Sequence, residues 1–294
     1  VCFFICWRIT FRAVADCKKQ ACKNARTWLN GGMKSWFAVL LNVFGVAGCI
    51  WAAEQSPAPA AAVQVDLTPF TSGIRVLLVT GVDYPGHKWR ETAPVIKALL
   101  EKDARMRVRI VETPEALSVA NLKEWEVVLL HFQNWQQPGP GEKARENLRR
   151  FVSDGGGLVS VHFACGAWYG EWPEYQNILG RVWHGPAGRQ HDPRGPFRVQ
   201  ITDTNHPVTR GLADFDTDDE LYTCLKGDAP VHLLAEAKSK VDGKNYPQAF
   251  VHQYGKGRVF LTTLGHDVKA WTNSPAVGEL VRRGCAWAAG EGKF

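Results

Sequence analysis

Four histidines in this 294-residue chain each stand where an apolar run stops. Gly81-Val82-Asp83-Tyr84-Pro85-Gly86-His87 follows the run at residues 74–80. His131 closes residues 126–131, His162 closes residues 158–162, and Gly265-His266-Asp267 follows residues 258–264. Imidazole suits proton transfer near neutral pH and ligation of divalent ions such as Zn. His162 and His266 are therefore candidate general acid and base, and His87, His162 and His266 are candidate metal ligands. His131 is the weakest of the four, because a histidine there can simply finish a strand. The acidic stretch Asp214-Phe215-Asp216-Thr217-Asp218-Asp219-Glu220-Leu221-Tyr222 reads as a loop without EF-hand spacing. From it, Asp219 or Glu220 would face the cleft as a general base or hydroxyl acceptor.

Around these lie candidate substrate contacts: His87, His184, Asp267 and Trp168. His184 and His191 belong to a Gly/Pro-rich insertion, residues 181–196, which could cover a site. Trp168 and Trp172 flank it, and an exposed indole stacks on a sugar face. Residues 156–165 read glycine, strand, then a polar residue at the turn, which is the layout of a nucleophile elbow. His162 takes the elbow place and Cys165 lies three residues beyond, so a thiol nucleophile is a competing reading. Gly139-Pro140-Gly141 matches a dinucleotide fingerprint by letters only, since it does not directly follow a strand and Pro140 removes an amide. No Walker A sequence, His-Glu-x-x-His pair or CxxC zinc pair occurs.

What must position these residues is an alternation of strand and helix. Residues 74–80, 107–111, 126–131 and 158–162 are nearly continuous apolar strands, as expected of strands covered on both faces. Residues 89–102 and 142–152 carry helical spacing, and Gly155-Gly156-Gly157 stops the second helix. Later strands read at 197–202, 231–237, 248–254 and 258–264, with a closing helix over 275–288. A βαβ rhythm implies a mainly parallel sheet with helices on both faces, whose ligands bind outside the carboxyl ends of the strands.

The N-terminal part has a different character. Residues 1–53 hold seven basic residues, one acid and five of the eight cysteines, whereas residues 54–294 carry 28 charges of each sign. A neutral body offers no footprint for a phosphate backbone, so no nucleic-acid partner is expected. Residues 1–32 read as an upstream extension outside the fold. Residues 33–53 read as an export signal: Met33-Lys34, an apolar run too short to span a bilayer, then Ala47-Gly48-Cys49. Val46-Ala47-Gly48-Cys49 resembles a lipobox, so Cys49 would tether a lipidated, extracytoplasmic or periplasmic protein. Residues 54–70 form an Ala/Pro-rich spacer before a domain at 71–291.

Several stretches, in this order, resemble the ThuA-like (trehalose utilisation) family. They are Val79-Thr80-Gly81 with Gly86-His87, Gly155-Gly156-Gly157-Leu158-Val159-Ser160-Val161-His162, and His184-Gly185. His206-Pro207-Val208-Thr209-Arg210-Gly211-Leu212, Asp219-Glu220-Leu221-Tyr222, Tyr254-Gly255-Lys256-Gly257-Arg258-Val259-Phe260 and Leu264-Gly265-His266-Asp267 complete the set. The resemblance covers about residues 74–289. It implies a three-layer α/β/α, flavodoxin-like fold similar to class I glutamine amidotransferases but without their catalytic cysteine. It further implies action on a small carbohydrate, such as trehalose-like disaccharides or their 3-keto forms. Phe163-Ala164-Cys165 departs from the small and acidic or hydroxylated residues of many relatives. A non-catalytic carbohydrate-binding domain and a Cys165-dependent hydrolase remain the alternatives.

Overall fold

The structure is a computed structural model that describes residues 65–185 and 188–291. The extension, the leader with Cys49 and the spacer up to residue 64 lie outside the described residues. Strands β1 (Ile74–Val79), β2 (Met106–Val111), β3 (Val127–Leu130) and β4 (Gly157–Val161) alternate with helices α1 (Trp89–Leu100) and α2 (Glu142–Asp154). After α3 (Glu174–Leu179) come β5 (Val182–Trp183), β6 (Gly195–Ile201), β7 (Phe215–Asp219), β8 (Leu225–Lys226), β9 (His232–Lys238), β10 (Asn245–Tyr254) and β11 (Gly257–Thr262). Helices α4 (Val268–Asn273) and α5 (Pro275–Ala288) close the fold.

Nine strands make one sheet, in the order β2-β1-β3-β4-β11-β10-β9-β6-β7. The first five run parallel and the rest continue antiparallel. Because side chains alternate along a strand, Val76 and Leu78 join Ile96, Leu100, Leu280 and Val281 on one face. Leu77 and Val79 join Leu148, Val152, Ile178 and Leu179 on the other. Each such aliphatic side chain contributes about 1.5–3 kcal/mol by leaving water. Covering both faces is why these strands carry uninterrupted apolar runs. The order reverses between β1 and β3, which opens a crevice at the carboxyl ends of the parallel strands.

Three local expectations change. The acidic stretch is largely strand β7 at the sheet edge: Thr217 and Asp219 turn inward while Asp216 faces solvent. Alternating carboxylates on an edge also discourage pairing with another chain. Residues 65–70, placed in the spacer, belong to the body, since Val65, Leu67 and Phe70 pack on its core and Phe70 meets Trp125 edge-on. The described parts of the insertion at 181–196 are tied down as well: β5 pairs with β8, and His191 bridges to Tyr222. No described helix is long and apolar enough to cross a membrane.

Candidate functional site

Each histidine of the site is aimed by its own supports. His87 sits in the loop after β1, where the fully buried Asp83 side chain accepts the Tyr84 N–H at 2.6 Å and lies 3.2 Å from His87 Nδ1. His162 directly follows β4 with φ of 47°, a left-handed conformation that costs a non-glycine residue about 1–3 kcal/mol. Its Nδ1 lies 2.5 Å from the Thr263 carbonyl. A carbonyl only accepts, so Nδ1 carries a proton, and in the neutral ring Nε2 keeps the lone pair. Thr263 is itself fixed by Gln248, whose main-chain carbonyl accepts the Thr263 N–H and whose side-chain carbonyl accepts the Thr263 hydroxyl.

His266 follows β11 through Gly265, whose φ is 112° and whose missing Cβ would stand 2.4 Å from the Trp271 ring. The Asp219 carboxylate, wholly buried, accepts the N–H groups of Gly265 at 2.7 Å, Glu220 at 2.9 Å and His266 at 3.1 Å. One buried anion thereby locks the end of β7 to the segment after β11. Asp219 is a positioning residue, and its neighbour Glu220 is the one that enters the site.

His87, His162, Glu220 and His266 each offer one ligand atom, all within 4.8 Å of one another. His162 Nε2 is 3.3 Å from His266 Nδ1 and 3.5 Å from Glu220 Oε2, which is 3.3 Å from His266 Nδ1. Neighbouring ligand atoms on one zinc ion, bonded at about 2.0–2.1 Å, stand about 3.3–3.4 Å apart, close to these three distances, and His87 completes the set within 4.8 Å. The three imidazoles stand 4.9–5.3 Å apart, ring to ring, at steep mutual angles around a common point. Asp83 and the Thr263 carbonyl take the remaining nitrogens of His87 and His162, the outer support that ligating histidines require.

The electrostatics suit a cation. Burial, with His162 and His266 nearby, lowers the His87 pKa to about 2, so the ring is neutral and able to ligate. Burial works against charge on Glu220, but its contacts with His162 and His266 outweigh this and hold the carboxyl well below its usual range. Burial opposes charge on His162 too, yet Glu220 and Asp219 raise its pKa overall, so an ion binding at Nε2 would compete with a proton there. Asp83 is pushed up to about 8 by burial.

His87, Glu220 and His266 of the cluster line a cavity of about 660 Å³, while His162 is fully buried beside them. Trp135, Trp183, Phe163 and Tyr84 supply apolar surface, and Gln133 and Gln190 supply amides. Two residues not singled out for chemistry complete the site. The Tyr222 hydroxyl lies 3.3 Å from His162 Nε2, and Tyr222 falls two residues after Glu220, the spacing that keeps side chains on one side of an extended chain. His191, reached from the insertion, places Nε2 3.7 Å from Glu220 Oε1.

Other expected site residues stay apart. Trp168 is buried, with its indole N–H donating to the Pro140 carbonyl at 2.9 Å, because Phe132, Trp172 and Tyr175 surround the ring. Asp267 caps α4 by accepting the Ala270 N–H at 3.0 Å and pairs with Arg194 at 2.9 Å. His184 is exposed and does not line the cavity. His131 is buried between the hydroxyls of Thr80 and Thr92, at 3.1 and 3.2 Å. Cys165 is fully buried in the core, and burial drives its thiol pKa far upward, which disfavours the nucleophilic thiolate.

Comparison with known proteins agrees with this fold. A ThuA-like protein from Parabacteroides merdae is 26% identical, with a TM-score of 0.65 over 76% of this chain and 91% of that one. A ThuA-like protein from Bacteroides uniformis is 18% identical, with a TM-score of 0.59 over 79% and 95%, and is similar in fold. No curated protein matches the chain. The family described as ThuA, trehalose utilisation, matches residues 75–288, which span both halves of the sheet and every residue of the cluster; the chain belongs to the ThuA family.

Proposed function

We propose that this chain is an exported sugar-processing enzyme acting on trehalose-like disaccharides or their 3-keto derivatives. It would hold a divalent ion, Zn or similar, on His87, His162, His266 and Glu220. The observation that carries this reading is the convergence of those four ligand atoms, all within 4.8 Å of one another, beside a cavity built from aromatic faces and amides. When bound, an ion with a further coordination position open to substrate would supply Lewis-acid polarisation of a carbonyl or hydroxyl oxygen. With the three histidines and Glu220 engaged as ligands, proton transfer falls to their neighbours. Burial keeps the Tyr222 phenol protonated, so it is a hydrogen-bond donor beside the cluster. His191, at the partly exposed rim, relays protons between cavity and solvent. Trp135 and Trp183 offer ring surface to the C–H faces of a sugar, while Gln133 and Gln190 address its hydroxyls.

Elemental analysis of the purified protein, paired with turnover of a 3-keto-disaccharide, tests the proposal. One ion per chain is expected, with both ion and turnover lost in His162→Ala while the fold persists. A protein that takes up no divalent ion, or His162→Ala with undiminished turnover, overturns it. Sugar binding without any conversion would make this a binding domain instead. The export part rests on residues 33–53 and on Cys49. Mass spectrometry of the native N-terminus checks it, and a mature chain beginning upstream of Met33 contradicts it.

A further inference from the structure

Beside the metal-site cavity lies a second hollow of about 450 Å³, lined by Trp135, Tyr169, Gly166, Asn134, Pro138 and Glu171 among others. Trp135 borders both hollows. It packs edge-on against Trp183 at 4.2 Å between ring centres, and Trp183 in turn meets Tyr169 at 5.1 Å. The three rings form one aromatic wall that runs from the cluster into the second hollow. Trp135 and Tyr169 are each 44% exposed, although soluble folds usually cover rings of this size.

Two further observations point to a ligand. Among the described residues, only His162 and Trp168 hold positive φ without being glycine. They bracket the turn at residues 162–168, with the metal cluster at one end and exposed Tyr169 just past the other. Backbone strain of this kind concentrates at binding sites. In addition, Gln133 is 2% exposed, and its side-chain carbonyl has no hydrogen-bond partner. Gln133 lines the metal cavity, and its amide nitrogen lies 2.8 Å from where a Cβ on Gly166 would stand. Gly166 lines the second hollow, so Gln133 sits where the two hollows adjoin. A ligand hydroxyl at that junction would satisfy an acceptor that is otherwise costly to bury.

We infer that the second hollow seats the second pyranose ring of a disaccharide whose first ring lies against the metal cluster. This rests on the sugar reading of the metal site. The polar side chains of the hollow are largely engaged elsewhere. Asn134 donates to Glu171 at 2.7 Å and accepts the Trp168 N–H at 2.7 Å, and Glu171 also accepts the Gly139 N–H and pairs with Arg145. Recognition there is by stacking, so the second ring is held loosely as to the orientation of its hydroxyls. Selectivity belongs to the first ring.

Calorimetry with trehalose and with glucose, on the protein as purified and on Tyr169→Ala and Trp135→Ala, tests this. The unaltered protein binds trehalose more tightly than glucose. Each variant lowers that ratio about 2- to 10-fold, the contribution of one stacked aromatic. Both side chains are exposed, so the variants should fold, and unchanged melting temperatures verify it. A trehalose-induced change in tryptophan emission of the unaltered protein that exceeds the change with saturating glucose gives a reading independent of either variant. Equal affinities for the two sugars, or a ratio unmoved in both variants, overturn the second subsite while leaving the metal site standing. If neither sugar binds, the 3-keto-disaccharide replaces trehalose in the same comparison; if that too fails to bind, the sugar reading fails, and this inference fails with it.

Discussion

Asp219→Asn isolates the device that brings two distant chain segments into one site. The Asp219 carboxylate accepts the Glu220 and His266 N–H groups on one oxygen and the Gly265 N–H on the other. Asparagine keeps the shape but has one acceptor. Whichever way its amide turns, an NH₂ faces at least one of those N–H groups. Losing a bond to a charged acceptor costs about 1.5–3 kcal/mol, and a stranded buried N–H costs about 1–3 kcal/mol. Burial already raises the Asp219 pKa, so removing the charge also relieves some desolvation. The net expectation is a loss of about 2–3 kcal/mol. For a domain of this size that lowers Tm by about 4–12 °C. Because Glu220 and His266 are both placed by these N–H groups, zinc affinity should fall about 10- to 100-fold, the usual effect of removing outer support from a metal site. Differential scanning calorimetry and competitive zinc titration measure the two effects. Asp267→Asn is the control, since asparagine can still cap α4 and Asp267 does not line the cavity. A Tm within about 1 °C of the unaltered protein, with zinc affinity unchanged, would refute the reasoning.

Three further outcomes are expected. Zinc at about 100 times its Kd should stabilise the protein by about 2.7 kcal/mol, so chelation should lower Tm by about 5–11 °C, and no shift would count against the cluster as a metal site. Cys165, Cys224 and Cys285 are all buried, so iodoacetamide should label them only after denaturation, and rapid labelling of Cys165 in the folded protein would revive the thiol reading. Glu126 is partly buried, which alone would raise its pKa, but its bonds to the Arg75 side chain and main-chain N–H hold the folded value below that of the unfolded chain. Its contribution is therefore full above the ordinary glutamate pKa of about 4.3 and disappears as pH falls through the folded value. Glu126→Gln should flatten the acid limb of the stability curve, which urea titrations across that range would reveal.

Much of the cluster was legible because strand ends are local features. An apolar run, a terminating glycine and a following histidine occupy a few consecutive residues, and parallel topology carries such ends to one edge. His87, His162 and His266 could be placed together on that ground alone. The acidic stretch was harder. Seven acidic or hydroxylated residues in nine suggest a solvated loop, and only pairing of Phe215–Asp219 with β6 reveals a strand whose inward positions are Thr217 and Asp219. Trp168 failed for a related reason: an indole beside a loop reads the same whether it reaches solvent or is enclosed by Phe132, Trp172 and Tyr175.

The sequence alone determined the strand–helix rhythm, the two-sided burial of the parallel strands and the histidines at their carboxyl ends, since each follows from the chemistry of neighbouring residues. Tertiary structure decided which carboxylate joins the cluster and which braces the main chain beside it. Glu220 enters the cluster because Asp219 is held by main-chain groups of Gly265 and His266, 46 and 47 residues away. It also brought His191 and Tyr222 to the site and withheld His131, His184 and Asp267 from it. Those choices depend on contacts between segments far apart in the chain, where register and packing, rather than residue type, set which atoms meet.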